Sequence, residues 1–492
     1  MRRVIFAVLA FLFPPAVLHA FPAGGRLPAS VGKEIRALES HPALRGKRAR
    51  VAALVYDITE KRILFGVRPD EPMAPASNMK IVTTAAALDL LGRDYAFTTR
   101  LFAPGRVRGG TLGGDLLLEA GGDPSWCAKV PGRGVDQVLS GMARALKSEG
   151  IRRVTGKLLV DASFFDREFV HPDWPPGQLQ AFYEAPVGAL TLAEACITVR
   201  IRGRAKPGIR PAVFLDPPGA GFRLSNRAVT VRRVRGAGLI VGRRGPWTLS
   251  VRGRAVRNRT VEFRVAVADP VAFAARVILS GLKRRGISVE GGWGLLGGGP
   301  SPRKDLPGPI WTLATPLPAV IRVVNKTSHN LMAEHVFKTL GRLRGGEGSF
   351  AGGRRAVLAW LLGMGLSTEG IEIRDGSGLS RRNRLTVRVL VSVLTRAWRS
   401  PWGKVFSRSL PVGGVDGTLA ARMKAPPLKG AVLAKTGWIR GASALSGYLL
   451  AGKRVLAFSI LVSYPPAVGG FNKYCKAAQE RLLLDLASLS KE

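Results

Sequence analysis

Pro75-Ala76-Ser77-Asn78-Met79-Lys80, running on into Ile81-Val82-Thr83-Thr84-Ala85-Ala86-Ala87-Leu88, is the stretch on which the reading of this chain turns. Proline ahead of an Ala-rich apolar run predicts the start of a buried helix. Residues i and i+3 share a helical face, so Lys80 lies one turn from Ser77, beside the free N–H groups and positive dipole end of the helix N-terminus. A serine hydroxyl becomes a useful nucleophile only when a neighbouring base takes its proton. Lysine can be that base only when neutral, and lowering its ordinary pKa of about 10.4 to near 7 takes about 4 kcal/mol, within reach of burial plus one like charge.

Ser-x-x-Lys by itself is a weak signal. It occurs five times, starting at Ser30, Ser77, Ser280, Ser301 and Ser488. Ser301 lies in a Gly/Pro linker, Ser488 at the C-terminus and Ser30 just after an apparent export signal, while Gly281 and Arg284-Arg285 mark Ser280 as near a helix end. Two rarer motifs follow Ser77 in order: Ser328-His329-Asn330 and Lys435-Thr436-Gly437, each present once. Taken singly, Lys80 reads as a solvated helix lysine, Ser77 as an N-cap, Asn330 as a turn residue and Lys435-Thr436-Gly437 as a strand end. Their ordered combination describes a serine acyl-transfer site. Lys435 supplies the like charge and attracts a substrate carboxylate. Ser328 relays a proton to the leaving group, and Asn330 orients the substrate chain. The apolar run Ala431-Val432-Leu433-Ala434 predicts a strand that delivers Lys435, and Gly437 lets a ligand approach its backbone. The backbone N–H groups of Ser77 and Trp438 are the candidate oxyanion donors.

These motifs and their surroundings resemble the low-molecular-mass class C penicillin-binding proteins, the D-alanyl-D-alanine carboxypeptidases/endopeptidases. The blocks Val324-Asn325-Lys326-Thr327-Ser328-His329-Asn330-Leu331-Met332-Ala333-Glu334, Asp375-Gly376-Ser377-Gly378-Leu379-Ser380, Gly414-Val415-Asp416-Gly417-Thr418-Leu419 and Gly121-Gly122-Asp123-Pro124 extend the likeness over nearly all of the mature chain. The resemblance implies that Ser77 is acylated by the penultimate D-Ala carbonyl of a peptidoglycan stem peptide, and that β-lactams trap the same serine. It implies roles for Lys80, Ser328, Asn330, Lys435 and Thr436 as above. One departure stands out. The family has Thr or Ser directly after Lys-Thr-Gly, and here Trp438 keeps the backbone donor but removes the hydroxyl.

The fold expected is α/β (α+β): a transpeptidase/β-lactamase-like core of helices on an antiparallel sheet, interrupted by β-rich inserted domains. About 250 residues separate the first motif from the second, more than one compact core needs. We expect a signal peptide at 1–20, core at 21–97, an insertion of two subregions at 98–299, and core again at 300–492. Short alternating runs, such as Leu116 to Ala120, Val154 to Asp161 and Val229 to Val234, predict strands within the insertion, and Ala272 to Leu282 a helix. Gly291 to Pro309 reads as the return linker.

Composition narrows the function further. Arg2-Arg3, an apolar run from Val4 to Phe13 and small residues up to Ala20 form an export signal too short to span a membrane. The three cysteines Cys127, Cys196 and Cys475 allow at most one internal disulfide. No cofactor is expected, and the five histidines offer no metal-ligand spacing. The formal charge of +42 invites a nucleic-acid reading, but export and the scatter of basic residues argue against one. The excess instead suits anionic cell-wall or lipid surfaces. Two alternatives stand beside the peptidase: a β-lactamase or esterase on the same core, and a non-catalytic peptidoglycan-binding protein.

Overall fold

The computed structural model describes residues 28–233, 238–297 and 306–489. The expected signal peptide and part of the expected return linker lie outside these residues. At the centre is a five-stranded antiparallel sheet in the order Val432–Ile439, Ala442–Ala451, Arg454–Ser463, Arg50–Asp57 and Arg62–Val67. The sheet is covered on both faces, so its central strands read as near-continuous apolar runs. Along Arg50–Asp57, Ala52, Leu54 and Tyr56 pack among the helices Met79–Leu91 and Val387–Arg399, while Val51, Ala53 and Val55 pack with the terminal helices Ala29–Glu39 and Asn472–Leu489.

The helix Met79–Leu91 is buried from Met79 through Leu88, as its apolar run requires. It sits between the helix Val387–Arg399, which lies on the sheet, and the helix Asn330–Arg344. That placement takes Lys80 out of water along with its apolar neighbours.

Before the second motif the described residues build four further sheets. Leu116–Ala120 is a strand as expected, and the expected helix is Pro270–Arg284. The run from Val154 to Asp161 is broken into Arg153–Val154 and Leu158–Asp161, since Thr155-Gly156-Lys157 turn between two different sheets. A second helix, Val135–Ser148, was hidden from a reading tuned to period-two alternation. The strand Ala96–Phe102 pairs with Trp311–Pro316, joining the two ends of this region. We propose that the inserted region is bounded by this strand pair.

The region is tied to the core by buried polar contacts. Trp174 Nε1 donates to Asp375 Oδ2 at 3.0 Å, and Lys338 Nζ forms an ion pair with Asp166 at 2.6 Å. All three cysteines are buried free thiols, so no disulfide contributes. Among the described residues no helix is long and apolar enough to cross a membrane.

One buried acid lacks such support. Glu184, on the short turn Phe182–Glu184, is fully buried and neither carboxylate oxygen has a hydrogen-bond partner. Burial pushes it up to about 7 from 4.5, so the folded protein holds a proton there that the unfolded chain gives up. Stability therefore falls as pH rises from 4.5 through 7. Glu184→Gln is expected to gain thermal stability over the wild type at pH 8 and little at pH 5; an equal difference in melting temperature at both values would refute this.

Candidate active site

The three motifs converge from separate elements. Ser77 lies in the 3-10 turn Ala76–Asn78 that leads into the helix Met79–Leu91. Ser328 occupies the turn between the helices Leu317–Lys326 and Asn330–Arg344. Lys435, Thr436 and Gly437 sit on the edge strand Val432–Ile439. Ala76 and Ser328 both adopt left-handed backbone conformations, at φ 46° and 57°, and such strain persists only where surrounding contacts enforce it.

Lys80 is the hub. Its Nζ lies 3.1 Å from Ser77 Oγ, 2.7 Å from Asn330 Oδ1 and 2.6 Å from the Ser377 carbonyl oxygen. Amide and carbonyl oxygens can only accept hydrogen bonds. A neutral amine has two N–H donors and one lone pair, so with both donors committed to those oxygens the lone pair faces the serine hydroxyl. Burial brings the Lys80 pKa down from 10.5 to about 7, opposed by the negative charges of Glu334 and Asp375. Lys435 is also fully buried, and burial followed by repulsion from Lys80 holds it well below the usual lysine range.

Lys435 Nζ donates to Ser328 Oγ at 2.9 Å and to its neighbour's carbonyl, Thr436 O, at 2.8 Å. Thr436 Oγ1 meets Thr418 Oγ1 at 2.8 Å. Asn330 is fixed at both ends of its amide, because Nδ2 donates to the Tyr183 carbonyl oxygen at 2.9 Å while Oδ1 faces Lys80.

Strand geometry orients the backbone N–H of Trp438, one of the two candidate oxyanion donors. Ala434 N donates outward, to Pro411 O at 2.9 Å, and outward N–H groups recur every second residue. The Trp438 N–H therefore points off the sheet edge, beyond the point where Pro411 and Gly413 cover the strand. A Cβ on Gly437 would come 3.1 Å from Ser77 N and 2.9 Å from Pro75 O, so only glycine lets the strand draw this close to the nucleophile.

Glu334 and the Asp375-to-Ser380 block carry no evident task in the sequence. The structure gives them one. Glu334 Oε2 and Oε1 accept from Gly376 N and Ser377 N at 2.9 and 2.7 Å, turning the Ser377 carbonyl toward Lys80. Burial, with the nearby Asp375, pushes Glu334 up to about 8. Asp375 accepts from Gly378 N, Ser380 N and Asn383 Nδ2 at 2.8, 2.6 and 2.9 Å, which closes the loop on itself. Pairing of two glycines with Asp and Ser was the available signal for a tight loop. Tyr183 and the His329–Glu194 contact of 2.6 Å carried none, since they arise from tertiary packing. Of the four other Ser-x-x-Lys serines, Ser280 Oγ accepts from Arg284 and Ser488 Oγ donates to Leu484 O, partners outside the three motifs, while Ser301 lies outside the described residues. Among the described residues no cluster of three His, Cys, Asp or Glu side chains could hold a metal.

Fold and site together define a serine acyl-transfer enzyme of the penicillin-binding type. The chain belongs to the D-Ala-D-Ala carboxypeptidase 3 (S13) family, whose model matches residues 32–474. It is 35% identical over 484 residues to a D-alanyl-D-alanine carboxypeptidase of Actinomadura sp. (strain R39), covering 94% of this chain and 86% of that protein. Among solved structures, penicillin binding protein 4 of Haemophilus influenzae superposes with a TM-score of 0.76 at 24% identity, covering 93% of this chain and 99% of that one. A predatory peptidoglycan endopeptidase of Bdellovibrio bacteriovorus shares the fold at a TM-score of 0.53 and 17% identity, over 90% and 93% of the two chains. The enzyme is thus a serine-type D-Ala-D-Ala carboxypeptidase.

Gly378 tests how tightly the loop is set against the nucleophile. Its φ is +81°, and a Cβ there would sit 1.7 Å from Ala76 O. Gly378→Ala must displace Ala76 and with it Ser77, and a shift of about 1 Å costs on the order of 100-fold in rate. We expect a loss of that size in the second-order rate of acylation by a penicillin; an unchanged rate would show the loop to be pliant.

Proposed function

We propose that Ser77 Oγ attacks the carbonyl carbon of the penultimate D-Ala of a peptidoglycan stem peptide while its proton passes to Lys80 Nζ. The contact that carries this reading is the Lys80–Ser77 approach at 3.1 Å, with the other two Lys80 partners restricted to acceptor oxygens. Negative charge developing on the carbonyl oxygen meets the N–H groups of Ser77 and Trp438. As the C–N bond breaks, the proton held on Lys80 passes to the Ser328 hydroxyl, which gives its own proton to the departing amine and leaves Lys80 neutral again; Lys435 holds Ser328 in place. Water then attacks the ester, the neutral Lys80 takes its proton, and that proton goes to Ser77 Oγ as the acyl C–O bond breaks, which restores the serine and releases the shortened peptide acid.

Asn330, Thr436 and Gly437 serve as substrate-binding groups, with the open edge of Val432–Ile439 receiving the peptide as an added strand. The same step acts as an endopeptidase when the departing amine belongs to a second stem peptide; the fold shared with the Bdellovibrio endopeptidase supports that extension. A β-lactam ring presents its carbonyl to the same serine, and the ester persists because the leaving nitrogen remains tethered. Peptidoglycan as substrate supports the export reading of residues 1–20. The net charge of +42 supports attraction to anionic wall polymers or lipid headgroups, which added salt should weaken.

Intact-mass analysis after incubation with a penicillin tests the core of the proposal. The wild type should gain one acyl adduct, Ser77→Ala none, and Lys80→Met should acylate at least about 100-fold more slowly. Because only neutral Lys80 accepts the proton, and its pKa lies at about 7, the wild-type acylation rate should climb through that region and level off above it. Acylation of Ser77→Ala, or a rate that climbs only near pH 10, would contradict the assignment.

A further inference from the structure

The cavity at Ser77 does not end at the Lys-Thr-Gly motif. It has a volume of about 280 Å³ and continues past Thr436 and Trp438 to Arg422, Lys476 and Gln479. The last two belong to the helix Asn472–Leu489, which no part of the mechanism uses. Trp438 forms a side wall. The residue is 59% exposed, and Nε1 donates to Tyr464 Oη at 3.1 Å.

Arg422 is built into the far end. Its side chain is only 11% exposed; Nε donates to Glu480 Oε1 at 2.7 Å, and Nη2 to Lys476 O and Gln479 Oε1 at 3.0 and 3.3 Å. Among the described residues, Nη1 has no partner. Gln479 is itself buried and donates to Ser443 Oγ at 3.4 Å, which fixes the floor. Lys476 is exposed at the rim. Arg422, Lys476 and Glu480 together leave one net positive charge, at a cavity that Thr418, Thr436 and Ser77 also line.

Charge at the motif itself is harder to maintain. Lys435 is enclosed, already committed to Ser328 Oγ and Thr436 O, and its pKa is held down by burial and by Lys80. Arginine keeps its charge at any working pH and presents a planar fork to a carboxylate.

We propose that Arg422 and Lys476 form the subsite for the carboxylate of the leaving D-amino acid, taking over the contact that a hydroxyl at position 438 would have made. The inference rests on the acyl-transfer reading and specifies where the anionic end of that substrate is bound. Arg422 Nη1 and Lys476 Nζ donate to the carboxylate, Thr436 hands it on toward Ser77, and Trp438 covers the side of the leaving residue. Peptides ending in a free carboxylate are thereby selected over neutral ends.

The test compares an N-acylated Lys-D-Ala-D-Ala peptide with its C-terminal carboxamide. The readout is the ratio of kcat/KM for acid over amide in the wild type, Arg422→Gln and Lys476→Ala. A charge-assisted hydrogen bond lost from the subsite should lower this ratio by about tenfold or more in Arg422→Gln, and by a smaller factor in Lys476→Ala. If both variants keep the wild-type ratio, or lose activity equally on the two peptides, Arg422 and Lys476 are structural and the proposal fails. Should Arg422→Gln not fold, Lys476→Ala and Lys476→Glu at the exposed rim decide the matter, with the charge reversal expected to lower the ratio further. Absence of a penicillin adduct on the wild type would instead defeat the acyl-transfer reading itself.

Discussion

A lysine amine with no exposure to water, and with two of its three neighbours unable to donate, is the constraint that organises this protein. Everything around Lys80 either excludes solvent or turns an acceptor oxygen toward it. The apolar helix carries it inward. Glu334 aims the Ser377 carbonyl, Tyr183 holds the Asn330 amide, and Thr83 Oγ1 pins the Gly376 carbonyl at 2.7 Å. Burial of a full positive charge is costly, so the neutral form becomes accessible near neutral pH, where a base is needed. The catalytic property is in this sense a consequence of packing.

The region between the first two motifs takes part in that packing. Tyr183 supplies the acceptor for Asn330 Nδ2, and Trp174 reaches Asp375. Glu194 engages both His329 and Arg264, at 2.6 and 2.9 Å, from a turn in which Ala193, Glu194 and Ala195 all have positive φ. Left-handed backbone at non-glycine residues costs roughly 1–2 kcal/mol each. Burial opposes ionisation of Glu194, yet the hydrogen bond and charge of His329, with Arg264, hold it at about 2. The His329 hydrogen bond and the Arg264 ion pair hold this turn against the residue next to Asn330. Without Tyr183, Trp174 and Glu194 the site would lose these buttresses.

Much of this was legible in the sequence. The spacing of Ser77 and Lys80 on a helix, the strand carrying Lys435, and the need for glycine at position 437 follow from local geometry, and local geometry is what residue order encodes. The Asp375-to-Ser380 loop was visible as a motif, but its task was not, because the task depends on Glu334 arriving from another helix. Arg422, Lys476 and Glu184 were silent: one is an arginine among many, one a lysine on a C-terminal helix, and one a glutamate whose burial is decided by distant packing. The broken strand at Thr155-Gly156-Lys157 shows the same limit, since its two halves alternate correctly but belong to different sheets.

The central claim is that Lys80 is neutral at working pH, and the most direct measurement is an NMR titration of lysine carbons next to the amine in isotope-labelled protein. The Lys80 signal would be assigned by its absence from a Lys80→Arg variant. The account predicts that this resonance titrates with a midpoint near 7, whereas exposed lysines titrate near 10.5. A Lys80 resonance that stays in the charged position until pH 10 would contradict it, and would leave Ser77 without its base.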